Sequence, residues 1–236
     1  MTPYASDRGV ARRVPSNGPG RGHDAPLIAV TSHATVHIMT DLSTLVERIS
    51  TCQLCAEKFA GTETRHAPRP VVYPSTSARV LIAGQAPGAR VHASGVPFDD
   101  PSGDRLRDWL GVDREVFYDR DRIAIVPMAF CFPGYDAKGS DLPPPKICAE
   151  TWRAAVLAQM PQVELTLVIG QYAQRWHMGR ERAKTLTETV RNWRAYGPKL
   201  LPLPHPSWRN TGWLRKHPWF EAEVLPWLRS EITRLC

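Results

Sequence analysis

Four short apolar runs restrict this 236-residue chain more than any other feature. They are Val80-Leu81-Ile82-Ala83, Ile123-Ala124-Ile125-Val126, Leu165-Thr166-Leu167-Val168-Ile169 and Lys199 to Leu203. Each is followed by a glycine or a proline: Gly84, Pro127, Gly170 and Pro204. Runs this short, without apolar–polar alternation, suit strands buried on both faces, as in a parallel sheet. Between them lie segments of helical spacing. Thr40 or Asp41 can cap a helix that puts Leu42, Leu45, Val46 and Ile49 on one face. Ser102 can cap another through Leu106, Trp109 and Leu110, stopped by Gly111. Ile147 to Met160 aligns Trp152, Val156 and Met160, and shorter helices fit near Tyr172 to His177 and Thr185 to Trp193. A last helix spans Trp219 to Leu235, with a kink expected at Pro226. Strands alternating with helices predict a three-layer α/β/α domain around a central four-stranded parallel sheet.

Composition narrows the function. Hydrophobic residues at 42% and charged residues at 22% are ordinary globular values. No run of about 18 apolar residues occurs, which excludes a helical membrane span. The N-terminus lacks a secretory pattern, so a cytoplasmic protein is expected. Five cysteines are too few for a disulfide scaffold. The net charge of +7 favours an anionic partner, with nucleic acid the first candidate. Residues 1–40 are rich in Gly, Pro, Ser and Arg without an apolar period, and read as a disordered basic leader. Four arginines there against two aspartates account for only +2 of the charge. The functional protein is expected to start near Met39, with residues 41–236 as its folded domain.

Ligands of parallel sheets bind beyond the carboxyl ends of the strands. Three informative loops leave such ends, beginning at Gly84, at Pro127 and at Pro204. Gly84-Gln85-Ala86-Pro87-Gly88 is a tight turn whose N–H groups can approach a ligand, with Gln85 as a polar side chain just past a buried strand. His205-Pro206-Ser207-Trp208-Arg209-Asn210 holds a His between prolines, and no acid follows until Glu221. Basic groups interleaved with Trp208 and Trp213 suit a phosphate backbone and unstacked bases, although Trp213 fits a core anchor better. Cys52 and Cys55 form a C-x-x-C pair, and Cys131 and Cys148 stand sixteen residues apart. Four thiolates suit an iron–sulfur cluster or zinc, while buried cysteines without metal are the alternative.

In this order, the C-x-x-C, G-Q-A-P-G, G-V-P-F, C-F-P-G and H-P-S-x-x-N elements resemble the uracil-DNA glycosylase superfamily from about Leu42 to Leu228. They are most similar to its family-four branch, which carries a [4Fe–4S] cluster. The resemblance implies a role for each matching position. Gln85 places water and supports the base. Phe98 stacks on the flipped base, with Gly84 and Met128 beside it. His205 stabilises charge on the leaving base. Ser207, Arg209 and Asn210 belong to a loop that enters the minor groove. Cys52, Cys55, Cys131 and Cys148 ligate the cluster.

The chain departs from the pattern in informative ways. Ala86 stands where the best-known branch has Asp, and Pro127 where family four carries an Asn that reads the uracil edge. The substrate expected is therefore DNA containing uracil or another deaminated base. Asp99-Asp100 follows Phe98, so one of these acids, with Asp100 the choice, or else His92, takes over water activation. The resulting expectation is a monomeric, monofunctional glycosylase that begins base-excision repair. The alternative is a uracil- or abasic-DNA binder with little turnover, of the covalent-trapping kind, in which His92 would be the candidate. A nucleotide or small-anion binder ranks lower, because G-x-G-x-x-G and G-K-[ST] are missing.

Overall fold

The computed structural model describes residues 41–236. The leader assigned to residues 1–40, and the start at Met39, lie outside them. Four strands form one fully parallel sheet: β1 (Val80–Ala83), β2 (Ile123–Ile125), β3 (Leu165–Ile169) and β4 (Leu200–Leu203), in the order β2-β1-β3-β4. The expected fold class is the one observed.

Alternate residues of each strand face opposite layers. Val80, Ile82, Ile123, Ile125, Leu167 and Leu201 pack against α4 (Pro101–Leu110), α5 (Arg114–Tyr118), α9 (Leu186–Arg191) and α11 (Leu225–Leu235). Leu81, Ala124 and Val126 face the other side, against Ile49 of α1 (Leu42–Ser50) and Val156 of α7 (Ala154–Ala158). Ala83 and Val168 meet α8 (Gly170–Met178) there. Burying both faces is what the unbroken apolar runs required.

Several helix ends differ from expectation. Asp41 caps α1 by accepting from the Thr44 N–H at 2.9 Å. Asp100, not Ser102, caps α4, accepting from the Gly103 N–H at 2.9 Å, and Pro101 then occupies the first turn. The expected helix from Ile147 to Met160 is broken into α6 (Lys146–Cys148), a π-helical stretch (Ala149–Arg153) and α7. Trp152, Val156 and Met160 are buried all the same, because a four-residue spacing is compatible with both helix types. Pro226 does not kink α11; it sits in its first turn, after a π-helical stretch (Phe220–Val224). Two short elements were not foreseen near the ends of β1 and β4: α3 (Ala89–Ser94) and α10 (Thr211–Lys216).

Candidate active site

The loops that leave β1, β2 and β4 close around one cavity of about 380 Å³ at the carboxyl edge of the sheet. Its walls include Gly84, Gln85, Phe98, Asp100, Pro127, His205, Ser207 and Arg209. Most of the residues singled out from the sequence therefore meet in one place, and the volume suits a small organic group.

His205 reaches the cavity from the end of β4. The Ser207 backbone N–H donates to its Nδ1 at 3.1 Å, and the Asn210 Nδ2 donates to its carbonyl at 2.7 Å. Burial lowers its pKa, with Asp100 pulling weakly the other way. The ring is neutral at pH 7, and because Nδ1 accepts, the proton sits on Nε2.

Gln85 is half-buried in the cavity wall, and its carbonyl accepts from the Ala129 N–H at 3.1 Å. Phe98 takes a left-handed backbone with φ 55°, and its ring meets Phe117 edge-on, 6.1 Å between centroids. A Cβ on Gly103 would lie 1.7 Å from the Phe98 carbonyl oxygen, so glycine is required where α4 passes beneath that strained turn. Of the two acids after Phe98, Asp100 lines the cavity, while Asp99 pairs with Arg114 at 3.3 Å. Capping α4 occupies only Oδ1 of Asp100.

Three expected positions lie elsewhere. The Met128 side chain is buried with Ala83, Val168, Ala173 and Met178, and touches the site only through its N–H, which donates to the Gly84 carbonyl at 2.9 Å. Strand alternation continues one residue past Pro127 and turns Met128 inward. Asn210 faces its own loop, where it holds His205. His92 packs on His66 and Phe132, away from the cavity wall, and its buried Nδ1 has no hydrogen-bond partner among the described residues.

Other residues join the site without having been foreseen. Arg105 of α4 donates to the Ser207 carbonyl at 2.9 Å and to Thr211 Oγ1 at 3.3 Å, which fixes the loop that carries His205. A tight hairpin at 134–142 brings Tyr135 and Asp141 into the cavity lining. Loss of solvent raises the Asp141 pKa; Arg209 opposes this and Asp100 adds to it. Trp208, which the sequence pattern pairs with the basic groups of this loop, lines the rim with 71% of its surface exposed, next to Arg209. Trp213 instead packs on the main core and donates to Thr187 Oγ1 at 2.8 Å.

The family model of the uracil DNA glycosylase superfamily matches residues 70–229, well over half of the chain. The chain belongs to this superfamily. Superfamily membership carries a DNA substrate and a glycosylase type of function, and the cavity holds Gln85, Phe98, His205, Ser207 and Arg209 among the residues on which the resemblance rested. Among the described residues, no helix is long and apolar enough to cross a membrane.

A second, small apolar cavity is lined by Cys52, Cys55, Cys131 and Cys148, with Ile49, Phe59 and Trp152. In this superfamily member the four thiols come from the α1–α2 turn (α2, Ala56–Ala60), the loop after β2 and the end of α6. Burial pushes Cys131 up to about 12 and Cys148 up to about 11, with neighbouring thiols adding to the shift. The Phe130 N–H donates to Cys148 Sγ at 3.3 Å. Among the described residues, no group of three or more His, Cys, Asp or Glu is placed to hold a single metal ion. Cys236 lies apart, against the main core.

Proposed function

We propose that the protein is a monofunctional DNA glycosylase that removes uracil, and other deaminated bases, from DNA and so begins base-excision repair. The observation that carries this reading is the neutral His205, with its Nε2–H directed by the Ser207 N–H on Nδ1, in the same cavity as Phe98 and Asp100. Extruding a nucleotide from the stack costs a few kcal/mol. Stacking on Phe98 returns ~1–3 kcal/mol of that. As the C1′–N bond breaks, its electron pair goes to the base, and His205 Nε2–H donates to the base oxygen where that charge collects. Water adds to C1′, and its proton passes to the free Oδ2 of Asp100 or to solvent. Pro127 offers no amide to read a uracil edge, so the pocket discriminates less strictly among bases with a carbonyl beside the glycosidic nitrogen or on the fused ring.

We infer that the four thiols of the second cavity hold a [4Fe–4S] cluster, with zinc or no metal as the alternatives; the donor set of four cysteines from three segments is what supports this. The Phe130 N–H on Cys148 is the kind of bond that stabilises ligand sulfur. When bound, the cluster would supply a covalent clamp between the α1–α2 turn and the loop after β2, and no chemistry at the base.

The test is an assay on oligonucleotides containing uracil, hypoxanthine or xanthine. Release of free base with recycling enzyme is expected. A complex that persists through denaturation without released base would instead support the trapping alternative.

A further inference from the structure

Past the end of β2, at the edge of the sheet, the N–H groups of Val126 and Met128 still bond to β1 and its exit, at the Ile82 and Gly84 carbonyls, while the carbonyls of Val126 and Pro127 point away from them. Both lie in buried segments, and a buried carbonyl without a partner is costly. Arg153 supplies both partners. Its Nη1 lies 2.6 Å from the Val126 oxygen and 2.6 Å from the Pro127 oxygen. Its Nη2 meets His177 Nε2 at 2.8 Å, and its guanidinium stacks 4.6 Å from the Trp176 ring centre. The side chain is fully buried, at 0% exposure.

The far side of this loop carries the catalytic turn. The N–H groups of Met128 and Ala129 donate to the carbonyls of Gly84 and Gln85, at 2.9 and 3.1 Å. Pro127 itself lines the cavity. A single run of hydrogen bonds thus leads from Arg153, through residues 126–129, to the backbone of Gln85. His177 is kept neutral by burial and by the Arg153 charge, so its Nε2 is free to accept.

We propose that Arg153 is a positioning residue of the glycosylase site, holding the loop after β2 so that Gln85 and the Pro127 floor are set for base release. This inference rests on the glycosylase reading above. Arg153 touches no substrate, and its effect passes through the 126–129 backbone. The π-helical stretch that ends at Arg153 is what aims the side chain under β2, in keeping with the placement of such bulges at functional sites.

The test compares Arg153→Met and Arg153→Lys with wild type by single-turnover base release, DNA affinity and amide exchange. Misplacement of a reacting group by a fraction of an ångström costs a large factor in rate, so Arg153→Met is expected to slow release by about tenfold or more while the Kd for the same DNA stays within about twofold. Exchange at Met128 and Ala129 should quicken, with β3 amides unchanged. Lysine cannot serve two carbonyls and His177 together, so Arg153→Lys should show a smaller loss, about three- to tenfold, again at unchanged Kd. If the Met variant does not fold, the Lys variant decides. A folded variant with wild-type release and wild-type exchange at Met128 and Ala129 overturns the proposal, and so does equal loss of rate and DNA affinity. Wild-type protein that releases no base would count against the glycosylase reading, and amide exchange would then judge Arg153 alone.

Discussion

Ser207 and His205 are joined by a backbone N–H donating to the imidazole Nδ1 at 3.1 Å. That bond decides which ring nitrogen carries the proton, and so leaves a half-buried neutral histidine in the cavity wall with its donor at Nε2. The Arg105 contact to the Ser207 carbonyl extends the same restraint to the whole turn.

Gly103→Ala tests the support under the stacking ring. Its Cβ would collide with the Phe98 carbonyl and push a backbone already at positive φ. Overpacking of this kind costs ~2 kcal/mol, so the melting temperature should fall by several degrees. Base release should slow by about tenfold as stacking is lost. Unchanged melting and rate would show that Phe98 does not depend on this contact.

Arg209 stands on the exposed rim in a stretch free of acids. Arg209→Ala is expected to weaken binding to all DNA sequences alike, and to reduce the slope of log K against log salt by about one. Titrations at several salt concentrations measure this. Sequence-dependent loss at an unchanged slope would assign Arg209 to base contact instead.

Protein purified without oxygen should be brown, absorbing near 400 nm as thiolate-ligated iron clusters do (roughly, by ligand type). Cys131→Ala should remove the colour and lower stability, since the four thiols tie three separate segments together. Colourless protein with stoichiometric zinc, or without metal, would contradict the cluster.

Acid should unfold the protein through His177. Burial and Arg153 hold its pKa near 3 in the fold, against 6.5 for a free imidazole. Below pH 6.5 the unfolded chain takes up a proton that the folded chain refuses. Stability is therefore lost as pH falls from about 6.5 towards 3, and this contribution is constant above 6.5. His177→Gln keeps an acceptor for Arg153 and cannot be protonated, so its melting temperature should decline less over that window. Coincident profiles for the two proteins would remove His177 as the cause.

The strands were legible because continuous apolar runs ending in Gly or Pro have few other uses, and their exits located Gln85 and His205, while Phe98 came from the family resemblance alone. Local competition was not legible. Asp100 and Ser102 both suit a helix cap, and only the close fit of Gly103 beneath Phe98 fixes the helix start. The inward turn of the Met128 side chain takes one more step of strand alternation, beyond the apolar run that marks β2. Arg105 and Arg153 act on backbone carbonyls far away in sequence, and a carbonyl leaves no mark in a residue pattern. The hairpin that carries Asp141 hid in a stretch of Gly, Asp and Pro that reads as plain loop.

The central claim is that His205 stabilises the departing base from this cavity. The most direct measurement is the single-turnover rate of base release from uracil-containing DNA by wild type and by folded His205→Ala. Loss of one charge-stabilising donor predicts a rate lower by about 100-fold or more in the variant. Equal rates would contradict the account and move the catalytic centre elsewhere.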